Sequence, residues 1–421
     1  MATPEILISK ASGNNTGENG DKVVFNVELS TQPLRDVSMT FTSSDTSEGA
    51  ISNATLVFNA GNWNDAQTFT VRGIDDYLDD KSVAYSITTA VSTMDVNYAR
   101  VTHLPIDLTN MDDGRDTPLQ LYGDADGPTN DILQGKDGPD RLQGKDLMDD
   151  ISGGLGNDRL YGGYDNDFLY GQAGNDYLNG EQDDDYLEGG DGQDSLDGGE
   201  GLGADTLIGG AGNDIYFLGG YDLTPDTIQD KGATSDVDTV IMPFSMDRYT
   251  LPANIENGTI SQGTDDSDLA GNGGNNRLTG NDGDNGLNGG NGRDSIAAGV
   301  GNDVVQGGTG NDTLSGGAGR DSFVFNAELT ANVDQITDFN SANDTIRLEN
   351  SVFVDLSVTG TLSTNAYTEG AAARDSSDRI IYNDNTGAVL YDGDGAGGQA
   401  AVQVATIGVN LSVTASDFVV I

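Results

Sequence analysis

The sequence predicts an all-β protein: an N-terminal β-sandwich, then two parallel β-rolls, then a C-terminal β-rich segment. Two observations predict it. Residues 5–112 hold short runs in which apolar and polar residues alternate, the two-residue period of a half-buried strand. From about residue 123 a nine-residue period takes over, with aspartate sixth and a large apolar residue eighth in each unit. Residues 162–197 show it directly, dividing into GGYDNDFLY, GQAGNDYLN, GEQDDDYLE and GGDGQDSLD.

In the N-terminal part, KVVFNVELS puts Val23, Phe25, Val27 and Leu29 on one face, and DVSMTF does the same with Val37, Met39 and Phe41. TLVF, QTFTV and VAYSIT continue the pattern between turn clusters such as SSDTSEG and NAGNWND. Seven or so short strands at this spacing predict an immunoglobulin-like β-sandwich over 1–113. The run from Glu18 to Asp21, the stretch FNAGNWNDAQTFTVRGIDDYLDD and the closing LTNMDDG resemble the Calx-β-type modules of bacterial surface proteins. That resemblance implies calcium ligands gathered near one end, at Glu18, Asp75, Asp76, Asp79, Asp112 and Asp113. A solvated acidic rim is the other reading of the same residues.

The first roll is predicted over 114–220. Its sixth positions are Asp131, Asp140, Asp149, Asp158, Asp167, Asp176, Asp185 and Asp194, and after a two-residue slip in GGEGLGAD, Asp205 and Asp214. Two places after each stand Leu133, Leu142, Ile151, Leu160, Leu169, Leu178, Leu187, Leu196, Leu207 and Tyr216. A connector over 221–261 loses the period but keeps strand-like DTVIM and RYTL. A second roll over 262–324 restores it at Asn276, Asn285, Asp294, Asp303, Asp312 and Asp321, followed by Leu278, Leu287, Ile296, Val305, Leu314 and Phe323. Both blocks read G-G-x-G-x-D-x-U-x, where U is large and apolar, and resemble the RTX calcium-binding repeats.

A nine-residue unit splits into a six-residue loop and a three-residue strand whose eighth residue points inward. Two units complete one coil, so coils repeat every eighteen residues and stack at ~4.8 Å, with the leucines as core. Aspartates eighteen apart then face one another on the same edge. Left alone they repel; with Ca²⁺ between them, carboxylates and loop carbonyls supply the six to eight hard oxygens that the ion prefers. The predicted metal ligands are therefore Asp140, Asp149, Asp158, Asp167, Asp176, Asp185, Asp194, Asp205, Asp214, Asp294, Asp303, Asp312 and Asp321. The loop glycines Gly153, Gly156, Gly171, Gly174, Gly189, Gly192, Gly307 and Gly310 present carbonyls beside them. One edge carries glycine at position four; the other carries Leu147, Asp165 and Asp183 there. We expect weaker, altered or missing ions on that second edge, with Asp165 and Asp183 as secondary ligand candidates, and weaker binding where Asn276 and Asn285 replace aspartate.

Residues 325–421 are predicted as a further β domain from SFVFN, DQITDF, NDTIRL, DRIIYND, GAVLYDGDG, AAVQVAT and ASDFVVI. The segment resembles the domain that follows RTX repeats in serralysin-type proteins exported by type I secretion, and the acidic-then-apolar ending DFVVI is typical of that signal. The resemblance implies a secreted, extracellular or cell-surface bacterial protein with an uncleaved C-terminal signal and a type I exporter as transient partner. It also accounts for an N-terminal MATPEILISKASG without the marks of a cleaved leader.

Composition narrows the function. The 421 residues include 69 Asp and Glu against 19 Lys and Arg, for a formal charge of −50. Nucleic acid and anionic membranes are thereby disfavoured as partners, and cations favoured. No apolar run approaches the ~18 residues of a membrane span, so no membrane insertion is expected. Cysteine is absent, which removes disulfides and thiolate sites. The single histidine, His103, excludes the HExxH zinc site of serralysin-type proteases, and GxSxG is also missing. We expect no enzyme but a calcium-loaded structural protein, self-assembling as a surface-layer, matrix or filament subunit. A carbohydrate-binding adhesin that recognises cell-surface polysaccharide is the alternative. Outward Tyr161, Phe168, Tyr170, Tyr177 and Tyr186 could serve as a sugar platform or subunit contact, or be covered by the chain itself.

Overall fold

The computed structural model describes residues 3–13, 15–74, 82–111, 119–123, 129–199, 203–219, 226–233, 235–243, 246–329 and 332–421. Among these the only helices are two single 3₁₀ turns, Thr364–Ala366 and Ala415–Asp417. Two compact units form. One holds residues 1–120 with loops 135–141 and 153–158, and the other holds 121–134, 142–152 and 159–421.

In the N-terminal part, the strands Ile6–Ser12, Lys22–Leu29, Gln67–Gly73 and Gly49–Ser52 make one antiparallel sheet in that order. A second sheet runs Thr16–Gly17, Ile106–Met111, Val83–Thr93, Val37–Ser43, Thr55–Phe58, antiparallel except for its first, parallel pair. Alternation decides which side chains go inside: Val23, Phe25, Val27 and Leu29 are all buried along Lys22–Leu29, as are Val37, Met39 and Phe41 on the other sheet. They join one core, where Phe69 stacks on Phe25 at 4.9 Å and on Phe41 at 4.0 Å between ring centroids.

Over residues 120–336 the chain is a parallel β-solenoid. Strands on each face pair with the strand one coil later, so Phe168 lies opposite Tyr186 and Leu169 opposite Leu187, while Tyr177 lies opposite Ser195 and Leu178 opposite Leu196. A loop that is two residues longer absorbs the slip after Gly198: Leu187 pairs with Leu207, and the inward row stays in line. Leu142, Ile151, Leu160, Leu169, Leu178, Leu187, Leu196 and Leu207 have no exposed surface at all. These two inward rows, one from each face, are the core that the eighth position predicted.

Strand pairing crosses two of the expected boundaries. Within 221–261, expected as a β-rich connector, the described strands add rungs to the ladder. The strands Thr239–Met242 and Asn257–Ile260 continue the parallel ladder from Ile215–Phe217 to Arg277–Thr279, so one face runs unbroken through both repeat blocks. The opposite face is divided there, between Thr227–Ile228 and Arg248–Thr250. The segment lacks the glycine loops yet retains the beat of aspartate, spacer and apolar residue in Asp226-Thr-Ile228 and Asp238-Thr-Val240, and that beat is what a rung requires. Likewise no break separates the second block from the C-terminal segment. Asp334–Ile336 and Thr345–Leu348 are further rungs, to which Val402–Thr406 and Phe418–Val420 add in parallel.

Candidate metal centre

Each nonapeptide aspartate sits where its loop becomes a strand, and its two carboxylate oxygens have different surroundings. Oδ1 accepts the main-chain N–H of the aspartate one coil earlier: Asp149 from Asp131 (2.7 Å), Asp167 from Asp149 (2.8 Å), Asp185 from Asp167 (2.7 Å), Asp205 from Asp185 (2.7 Å). The other edge repeats this for Asp158 from Asp140, Asp194 from Asp176 and Asp214 from Asp194, at 2.7–2.8 Å. Asp294, Asp303, Asp312 and Asp321 belong to the same pattern in the later block. Oδ2 is the distinctive atom. In Asp149, Asp167, Asp185, Asp194, Asp214, Asp294, Asp303, Asp312 and Asp321 it is buried and accepts no hydrogen bond. A buried carboxylate oxygen without a donor is strongly disfavoured unless a cation meets it.

The glycines complete an oxygen-lined cradle. A Cβ on the first glycine of a loop would collide with Oδ2 of its own aspartate and with the first carbonyl of the next coil: at Gly171 with Asp176 and the carbonyl of Gly189, at Gly189 with Asp194 and the carbonyl of Gly209, at Gly307 with Asp312. On the earliest coils the carbonyl of Gly153 lies against Gly135 in the same way. At position four Gly156, Gly174, Gly192 and Gly310 have φ of +108° to +133° or +140°, which turns their carbonyls towards the neighbouring coil. The donor set is wholly oxygen, from carboxylates and main-chain carbonyls, and so suits a hard cation such as Ca²⁺. Among the described residues no group of three or more His, Asp or Glu side chains is placed to hold a metal, so main-chain carbonyls would have to complete a site.

Burial dominates the electrostatics of these rows. It pushes the Asp158, Asp167 and Asp214 carboxyls up to about 7, Asp194, Asp294 and Asp303 to about 6, and Asp185 to about 9, against the N–H that each accepts. The neighbouring aspartates Asp167, Asp205 and Asp183 add to the rise at Asp185. Charge in an ion-free row is therefore unfavourable at neutral pH.

The two edges share the carboxylate arrangement and differ at position four. Leu147, Asp165 and Asp183 also take positive φ, at 76°, 70° and 72°, short of the values at the glycines. Asp165 and Asp183 are exposed, with the Asp165 N–H donating to Asp183 Oδ2 at 3.1 Å, and their charges add to the rise at Asp167 and Asp185. At Asn276 and Asn285 an amide replaces the carboxylate. Asn276 Nδ2 donates to the carbonyls of Ile255 (2.9 Å) and Glu256 (3.3 Å), and Asn285 Nδ2 to that of Ser267 (3.2 Å). Those carbonyls are thus satisfied from within the chain.

Sequence reasoning missed four members of the rows. Asp226, Asp238, Asp334 and Asp344 are buried and accept the N–H groups of Asp205, Asp214, Asp312 and Asp321. Their signal was available as aspartate two places before Ile228, Val240, Ile336 and Ile346, without the glycines. In the N-terminal part, Glu18 is 5% exposed, whereas Asp75, Asp76, Asp79, Asp112 and Asp113 lie outside the described residues. The outward aromatics cover one another in part: Tyr161 against Tyr177 at 5.9 Å, and Tyr186 between Phe168 at 6.0 Å and Tyr170 at 5.9 Å.

Residues 126–146, 143–178, 170–202, 201–220, 262–296 and 297–327 match the RTX calcium-binding nonapeptide repeat family. These repeats bind calcium, so the cofactor of the chain is Ca²⁺, in several copies. No curated protein matches the chain.

Proposed function

We propose that this is a secreted structural protein whose solenoid folds when it meets extracellular calcium. The observation that carries this reading is the buried row of aspartate oxygens without hydrogen-bond donors. Asp140 with Asp158, Asp149 with Asp167, Asp185 and Asp205, Asp176 with Asp194 and Asp214, Asp294 with Asp312, and Asp303 with Asp321 would hold the ions, helped by the carbonyls of the loop glycines. Bound Ca²⁺ supplies the positive charge that the rows lack. Without it, acidic glycine-rich repeats repel, remain open and can be threaded through a narrow exporter; ion binding then becomes folding free energy. Some ten ions would leave a formal charge of about −30.

RTX repeat proteins are typically secreted, and no helix here is long and apolar enough to cross a membrane. Phe418–Val420 pairs in the sheet with Phe418 and Val420 buried, so an export signal in that strand would be legible only before folding. Two antiparallel sheets over one core support an immunoglobulin-like module of Calx-β type, with buried Glu18 as its candidate ligand. The long ladder of stacked rungs supports a structural role, as a surface-layer, matrix or filament subunit. The partly exposed ladder of Phe168, Tyr170 and Tyr186 favours one other reading, a polysaccharide-binding adhesin.

Circular dichroism of the full chain, titrated with calcium and then EGTA, tests the folding claim. We expect strand signal to appear with the ion and vanish with the chelator; a fully folded calcium-free chain at neutral pH overturns it. Negative-stain microscopy beside a glycan array separates the roles, since ordered polymers favour the subunit and monomers that bind glycans favour the adhesin.

A further inference from the structure

We propose that the loop 392–399 holds a divalent cation, Ca²⁺ by its chemistry, between the carboxylates of Asp392 and Asp394, outside the nonapeptide repeats. The loop closes the antiparallel hairpin of Ala388–Tyr391 and Val402–Thr406. Asp392 is only 6% exposed, and its Oδ1 is buried without a hydrogen-bond partner. Asp394 Oδ1 is in the same condition, while its Oδ2 accepts the N–H groups of Gly398 (2.9 Å) and Gln399 (3.3 Å). The two carboxyls lie in hydrogen-bond contact with each other, and Asp392 also takes the main-chain N–H groups of Asp394 and Gly395. Two carboxyls have thus been brought together, with the Oδ1 atom of each enclosed and without an N–H or hydroxyl donor.

The main chain holds them there. The Asp392 N–H donates to the carbonyl of Arg379 at 2.8 Å, and the Ala396 N–H to that of Asp375 at 2.8 Å, fixing both sides of the loop to the preceding turn. Among the described residues no lysine or arginine forms a salt bridge with either carboxylate. Oxygen is the only donor type on offer, which selects a hard cation over zinc or copper. With two carboxylates, main-chain carbonyls and water would fill the remaining positions, as in weaker extracellular calcium sites. Val402–Thr406 pairs in parallel with Asp334–Ile336, so an ion here braces the hairpin that continues the solenoid sheet. This inference rests on the hairpin alone and not on the reading of the repeats.

Crystals of the full chain grown with calcium decide it by anomalous scattering. We expect a peak between Asp392 and Asp394; a chain with ions along the repeats and none at this loop overturns the proposal. In solution, the double variant Asp392→Asn, Asp394→Asn should bind one calcium fewer per chain by equilibrium dialysis, with the calcium-driven dichroism transition of the repeats retained. Equal ion counts in the two proteins would also overturn it. Should the variant fail to fold, the wild-type crystals still give the answer.

Discussion

A single carboxylate with one oxygen bonded and the other bare is the unit from which this protein is built. Asp185 shows it best: Oδ1 takes the N–H of Asp167, Oδ2 has no donor, and burial lifts the carboxyl to about 9. Replacing it by asparagine should reproduce what Asn276 already does, an amide donating to the carbonyls of the preceding coil. We expect Asp185→Asn to lower the bound calcium count by at least one and to raise the calcium midpoint of folding several-fold, a tenfold rise corresponding to about 1.4 kcal/mol. Position four makes a second test. Asp183 holds a positive φ that an L-residue adopts at a cost of roughly 1 kcal/mol, and its side chain is exposed. Asp183→Gly should therefore leave the ion count unchanged and move calcium-saturated urea unfolding by up to about 1 kcal/mol in the stabilising direction. If the count falls instead, the exposed aspartate is a ligand. Acid is the third. Because the folded-state pKa values of Asp158, Asp167, Asp214 and Asp334 rise from the ordinary 3.8 to about 7, the ion-free solenoid binds protons on folding. Its stability is then greatest below about pH 4 and is lost as pH rises from there through about 7. In EGTA, strand dichroism should be present near pH 4 and absent near pH 8. In the N-terminal sheets Asp95 has the opposite sign: burial would raise it, but the N–H groups of Asn97, Arg35, Leu34 and Tyr98 hold it below its usual value, so that part loses stability in acid.

At the scale of the element, the strand is short and its inward residue carries the packing. Leu178 lies between Leu160 and Leu196 on the ladder and is fully buried. Leu178→Ala should destabilise the calcium-loaded protein by about 2–5 kcal/mol, read from the shift in urea midpoint at constant slope. The inward row was legible because side chains in a strand alternate and changes of length fall in loops; the insertion before Asp205 adds two residues to a loop and none to a rung. The rungs in 221–261 were harder to see. Without glycine loops, Asp238-Thr-Val240 resembles any short strand, and only pairing with Ile215–Phe217 and Asn257–Ile260 identifies it as part of the ladder.

For the whole chain, charge and topology act together. A formal charge of −50 opposes compaction, and parallel rungs tie each coil to the next, so ions filling one coil help to order its neighbours. The coil at Asn276 and Asn285 interrupts that sequence, because amide groups there satisfy carbonyls that elsewhere face the aspartate rows. We expect Asn276→Asp with Asn285→Asp to increase the number of calcium ions per chain in equilibrium dialysis and to steepen the calcium-induced folding transition.

The sequence by itself determined the inward row, the aspartate row and the kind of ion, because a nine-residue period admits one placement of each side chain once the chain is coiled. It also carried the alternation of the N-terminal strands, visible in Val23, Phe25, Val27 and Leu29. Only the tertiary structure decided that one face runs unbroken through the loss of the repeat, that the final strand joins the same ladder, and that Asp392 and Asp394 meet with bare oxygens. These depend on hydrogen bonds outside the glycine-rich repeats, made largely by main-chain groups that every residue carries and no sequence pattern marks.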